Sequence, residues 1–153
     1  MYEKFGQFIN GKWKQSSDKG TYEVINPANE EIIGHASKAT PKDVEDALQS
    51  AASGLELWKR TAPWQRSYII RRIADKIREK QDVLAKWMTL EVGKPFAEAK
   101  GEVNGAADIF EWNAEETKRI YGQTVESRFE DTRVHVYYQP VGVVAALTPW
   151  NFP

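Results

Sequence analysis

The six residues Thr148-Pro149-Trp150-Asn151-Phe152-Pro153 combine groups that could serve a reaction at a carbonyl. Two prolines stiffen the backbone around a tryptophan, an amide and a phenylalanine. Asn151 offers two N–H donors, and the aromatics offer flat apolar walls. A rigid amide donor beside an apolar wall suits stabilisation of an oxyanion, the charge that develops when a nucleophile adds to a carbonyl carbon. The same residue types also suit a plain buried loop, and the segment alone leaves both readings open.

No other group in the chain competes for this role. There is no cysteine, so these residues hold no disulfide, no thiolate metal site and no cysteine nucleophile. His35 and His135 lie far apart with no carboxylate at ligand spacing; they read as surface or half-buried strand residues, and no metal site is expected. Glu91, Glu98, Glu102, Glu115 and Glu116 fall in helical surface patterns. They are expected on solvated faces, pairing with lysine or arginine at i,i+4 spacing, rather than as general bases.

The segment must be positioned by what precedes it. Residues 141–147 form a continuously apolar run, the pattern of a strand covered on both faces in a parallel α/β sheet. Ligands of such sheets bind beyond the carboxyl ends of the strands, where 148–153 begins. A parallel neighbour needs a crossover helix. Only six residues follow Leu147, so the rest of that sheet is expected outside these residues.

Upstream, 1–40 reads as β structure. Asn10-Gly11 marks a hairpin turn inside Phe8-Ile9-Asn10-Gly11-Lys12-Trp13. Residues 22–25 and 31–36 flank an Asn26-Pro27-Ala28-Asn29 turn, expected as type I. Thr40-Pro41 opens a helix with a cap and a proline at its first position. Its apolar face would be Val44, Ala47, Leu48, Ala51, Ala52 and Leu55.

A second helix is expected from near Pro63, with Ile70, Ile73, Ala74 and Ile77 inward and Arg66, Arg71, Arg72, Lys76 and Arg78 outward. A third spans 82–91, stopped by Gly93 and Pro95. A fourth spans 96–120 with a stripe through Phe96, Ala99, Val103, Ala106, Ala107, Phe110, Ala114 and Thr117. Gly101 and Gly105 read as points of close helix approach, and Trp112 as core. Residues 123–127 and 133–138 read as a strand pair with one buried face formed by Val134, Val136 and Tyr138.

Hydrophobic residues make up 41% and charged residues 28%, the balance of a water-soluble globular domain. The net charge of -1 gives no support for nucleic acid or an anionic membrane as partner. The longest apolar run is far too short to span a bilayer. Residues 1–6 carry no basic-then-apolar leader pattern, so a cytoplasmic location is expected.

Taken together, these motifs resemble the aldehyde dehydrogenase superfamily. Residues 149–153 resemble its Pro-Trp-Asn-Phe-Pro motif. The 8–13 hairpin is similar to its opening hairpin, Asn26-Pro27-Ala28-Asn29 to its Asn-Pro-Ala turn, Glu91-Val92-Gly93-Lys94-Pro95 to its Glu-x-Gly-Lys-Pro stretch, and Gln139-Pro140-Val141-Gly142-Val143 to its entry into the cofactor sheet. Residues 95–103 and 110–122 resemble most the succinate-semialdehyde dehydrogenases within it.

The resemblance implies an incomplete α/β fold, the N-terminal part of the aldehyde dehydrogenase fold. Residues 1–121 would be hairpins and helices of the cofactor-binding domain. Residues 122–140 would be a strand pair used in oligomerisation, and 141–153 the first strand and Pro-Trp-Asn loop of a Rossmann-like sheet. It implies Asn151 as the oxyanion-hole amide, and Thr148, Pro149, Trp150 and Asn151 at the nicotinamide end of NAD or NADP. Phe152 would line the aldehyde channel, with the inner face of the fourth helix, around 103–110, as its other wall.

The implied reaction oxidises an aldehyde, of the succinate-semialdehyde kind, to the acid through a cysteine thiohemiacetal. The cysteine and the general-base glutamate would lie outside these residues, so the 153 residues alone are expected to be inactive. The parent would be a homo-oligomer, a dimer or tetramer. The alternative is a naturally short, non-catalytic relative that binds full-length subunits or ligand.

Overall fold

The computed structural model describes residues 6–153. Residues 1–5, on which most of the leader reading rests, lie outside the described residues. The described chain is a mixed α and β structure: three two-stranded antiparallel sheets and four helices.

Strands β1 (Gln7–Ile9) and β2 (Lys12–Lys14) pair with Phe8 opposite Trp13. Asn10 at φ 52° and Gly11 at φ 72° turn the chain, both left-handed as a type I′ turn demands. Strands β3 (Thr21–Ile25) and β4 (Ile32–Ser37) form the second hairpin. Between them the Asn26 side-chain oxygen accepts the Ala28 N–H at 3.0 Å, and its carbonyl accepts the Glu30 N–H at 2.8 Å.

Helix α1 (Pro41–Trp58) starts with a reciprocal cap. Thr40 accepts the Asp43 N–H while the Asp43 carboxylate accepts the Thr40 N–H at 2.9 Å. Asp43 also accepts from Ser16 and Ser17, which ties the first hairpin to the helix. The Thr40 N–H foremost holds the Asp43 carboxyl well below the usual carboxylate range.

Helices α2 (Pro63–Glu79), α3 (Gln81–Val92) and α4 (Phe96–Thr117) make the core. Gly93, left-handed at φ 75°, ends α3, and Pro95 precedes α4. Ala85, Ala99 and Val103 are buried together, with Ile77 and Met88 packed against them. Ala74, Ala107 and Ala114 are also fully buried. Small residues on α2, α3 and α4 let the backbones approach, so the core is built from alanine.

Several expectations are corrected here. A Cβ on Gly101 or Gly105 would meet nothing within 4 Å, so these glycines are not the close-approach points; the buried alanines are. Trp112 is 71% exposed and not core, and Ile73, Phe96 and Phe110, expected on inward faces, are also exposed. Arg71 and Arg78 do not simply point outward. Arg71 bonds Glu111 and Glu115 at 2.7 Å each, and Arg78 bonds Asp108 at 2.7 Å and Glu111 at 2.6 Å, so both staple α2 to α4. Val44 and Leu48 on α1 are exposed, because few described residues pack against that face.

Strands β5 (Gln123–Glu126) and β6 (Arg133–Val136) pair as expected, with Val125 opposite Val134. Every residue of both is exposed, so the expected buried face is not covered by the described residues. The expected strand at 141–147 does not form. The segment has no ladder partner, and Val141 and Leu147 are 94% and 96% exposed. A strand exists only through hydrogen bonds to a neighbour, and none of the described residues supplies one.

Candidate active site

The extended 141–147 segment carries the chain to a turn at Trp150 and Asn151. The Lys94 side chain joins this turn to the helices. Gly93 reverses the chain after α3, which places Lys94 at the foot of α4. Lys94 forms an ion pair with Glu102, two turns along α4, with the two side chains only 15% and 16% exposed. The same ammonium donates to the Asn151 carbonyl at 2.8 Å and lies 4.4 Å from the centroid of the Phe152 ring. A cation over an aromatic face is attracted by the ring quadrupole.

Phe152 and Pro153 thereby close one end of a cleft of about 570 Å³ whose floor is α3 and α4. From α4 come Val103, Ala106 and Ile109, spaced three residues apart on one face. From α3 come Trp87 and Met88, and Glu91 and Glu102 set acidic groups at the wall. The cleft is largely apolar with a few polar groups, the usual character of a small-molecule site. A second cleft of about 450 Å³ between α2 and α3 holds none of the candidate site residues 148–153.

Thr148, Pro149, Trp150 and Asn151 are all exposed on the open side of the turn. Among the described residues the Asn151 side-chain amide makes no hydrogen bond; only its carbonyl is engaged, by Lys94. The structure therefore brings Phe152 and the 103–109 face of α4 to one cleft, and ties the preceding Asn151 to Lys94 through its carbonyl.

The sequence reading missed the two residues that hold this arrangement. Glu102 is not on a solvated face with an i,i+4 partner, and Glu115 likewise reaches across to Arg71 on α2. The signal for Lys94 was its place between a helix-ending glycine and a helix-starting proline, which aims a long cationic side chain up the next helix.

The 13–153 segment matches the model of the aldehyde dehydrogenase family. The chain belongs to the aldehyde dehydrogenase family. It is 45% identical to the glutarate-semialdehyde dehydrogenase of Pseudomonas putida and 44% identical to an NADP+ succinate-semialdehyde dehydrogenase of Escherichia coli, each over 95% of this chain and 30% of the relative. Among solved structures, succinate-semialdehyde dehydrogenase from Burkholderia pseudomallei superposes with a TM-score of 0.94 at 38% identity, over 97% of this chain and 31% of that one. An NADP-dependent enzyme of E. coli gives a TM-score of 0.94 at 43% identity, over 99% and 32%. The chain thus spans about a third of the length of the aldehyde dehydrogenases it matches.

Proposed function

We propose that these residues form the N-terminal part of an NAD(P)+-dependent aldehyde dehydrogenase acting on a short semialdehyde of the succinate or glutarate kind. The observation that carries this reading is one cleft lined by Phe152, Val103 and Ala106, with Asn151 the residue before Phe152, in a chain whose relatives bear semialdehyde dehydrogenase names. On this reading 1–121 belongs to the cofactor-binding domain, 122–140 to the oligomerising strand pair and 141–153 to the start of the dinucleotide sheet. The whole protein would be a homo-oligomer, and its location cytoplasmic. No helix among the described residues is long and apolar enough to cross a membrane.

The aldehyde enters along the apolar cleft, where Phe152 and the α4 face exclude water. Its carbonyl oxygen lies by the Asn151 amide, which donates to the oxygen as a thiolate adds and negative charge develops there. The thiolate comes from outside this cysteine-free segment, so the segment alone does not turn over.

A nicotinamide nucleotide fits this segment in part. The exposed Thr148 hydroxyl and Asn151 amide stand three residues apart as partners for a carboxamide and ribose. Among the described residues, none of the four helices opens after a glycine-rich turn that would cradle a pyrophosphate. When bound, the nicotinamide supplies the hydride acceptor.

The test is NAD(P)H formation by the protein made from its own gene, after its intact mass has been measured. Reduction of nucleotide with succinate or glutarate semialdehyde is expected. Failure with both semialdehydes, in a folded product that carries a cysteine, would overturn the reading.

A second reading rests on the strand pair: all eight residues of β5 and β6 are exposed, and their outer edges are unpaired among the described residues. A product no longer than these residues would use that edge to bind full-length subunits without turnover. Co-elution with a full-length dehydrogenase would show it.

A further inference from the structure

We propose that Lys94 is a positioning residue of the aldehyde site, held by Glu102 and in turn fixing Asn151 and Phe152 against α4. The inference rests on the reading of Asn151 as the oxyanion donor. Three contacts converge on one ammonium: the Glu102 carboxylate, the Asn151 carbonyl at 2.8 Å and the Phe152 ring at 4.4 Å. No described strand pairing restrains 139–153, and this ammonium gives the turn a polar tether to the helices.

The chemistry fits that task. An ammonium has three donors and no acceptor, so it can bond Glu102 and the Asn151 carbonyl together while its remaining face lies over the ring. Holding the Asn151 backbone carbonyl fixes the peptide plane from which the side-chain amide projects. The amide itself stays unengaged and free to meet a substrate oxygen. Glu102 keeps the ammonium from turning to solvent, and Lys94 neutralises a carboxylate that would otherwise repel an anionic semialdehyde in the cleft. Misplacing a catalytic donor by about 1 Å can cost on the order of 100-fold in rate.

The experiment uses the protein as its own gene encodes it, with Lys94→Met, Lys94→Arg, Glu102→Gln, Asn151→Ala and the double variant Lys94→Met/Asn151→Ala. Lys94→Met should lower kcat by ~10- to 100-fold, with the thermal midpoint little changed, and Lys94→Arg should recover part of the loss. The double variant should be no slower than Asn151→Ala alone, because Lys94 acts through Asn151.

Additive losses in the double variant would sink the proposal and leave the Asn151 reading standing. Asn151→Ala with unchanged kcat would sink that reading and the proposal with it. Hydrogen exchange of 147–152 gives a readout that needs no turnover: it should quicken in Lys94→Met and in Glu102→Gln while α2 stays unchanged. Equal protection in both variants would overturn the tether.

Discussion

Gly93 turns the chain directly beneath the ring of Pro27: a Cβ placed on Gly93 would stand 3.1 Å from Pro27 Cγ. The two residues are 66 positions apart, one in the turn between β3 and β4 and one at the end of α3. The left-handed backbone of Gly93, at φ 75°, is what lets Lys94 leave α3 and reach α4. The contact therefore ties the N-terminal hairpin to the segment that carries the tether of the candidate site.

Gly93→Ala should destabilise the chain. A left-handed conformation costs an L-residue about 1–2 kcal/mol, and the Pro27 ring must shift to admit the methyl. Gly93→Asn carries a comparable Cβ but tolerates the left-handed region better. Denaturant unfolding should thus rank wild type above Asn above Ala. Equal midpoints for Asn and Ala would mean that the Pro27 contact, not the backbone, dominates.

Glu115 sets an acid limb to stability. The Lys118 ammonium first, and then the Arg71 guanidinium, hold its carboxyl down at about 2 from an ordinary 4.5. The folded value is depressed, so this contribution is present above the unfolded value near 4.5 and is lost as pH falls toward about 2. Glu111, lowered by Arg78, acts in the same direction. Stability measured from pH 6 to pH 2 should fall through this window, and the fall should be shallower in Glu115→Gln. An acid limb of unchanged slope in that variant would place the titration elsewhere.

What the sequence made legible was local. Asn10-Gly11, Thr40-Pro41-Lys42-Asp43 and Gly93 each specify a turn, a cap or a stop within four residues, and each forms as read. Of the candidate site, the sharing of one cleft by Phe152 and the Val103 face was legible because both are apolar and lie on segments whose direction was known. Pairing across elements was not. Arg71 looks solvent-facing by helical periodicity, yet it meets Glu111 and Glu115, which are 40 and 44 residues away. Glu102 looks like any exposed helical carboxylate until Lys94 is brought to it. The 141–147 run was read as a strand from its composition, but composition cannot supply the neighbour that makes a strand.

The alanine core makes an opposed pair of predictions on α4. Ala107 is fully buried, and leucine there would overpack the helices and cost about 1–3 kcal/mol. Gly101 lies on the same helix facing open space, and alanine there should gain up to about 1 kcal/mol from helix propensity. Thermal unfolding of the two variants should move in opposite directions. A loss of stability in Gly101→Ala would reveal a neighbour packed on that face.

Asn151 and Phe152 are adjacent but should fail in different ways. Removing the amide in Asn151→Ala deletes a donor that matters most when charge develops on the substrate oxygen, so kcat should fall by about 10²–10³ with KM little moved. Phe152→Ala removes apolar surface at the mouth of the cleft, which contacts bound aldehyde before and during the reaction alike. That loss should raise KM for the aldehyde more than it lowers kcat. Steady-state kinetics of the protein as its own gene encodes it separate the two. If Asn151→Ala instead raised KM alone, its amide would be a ground-state binding group, and the oxyanion donor would have to be sought among backbone N–H groups outside these residues.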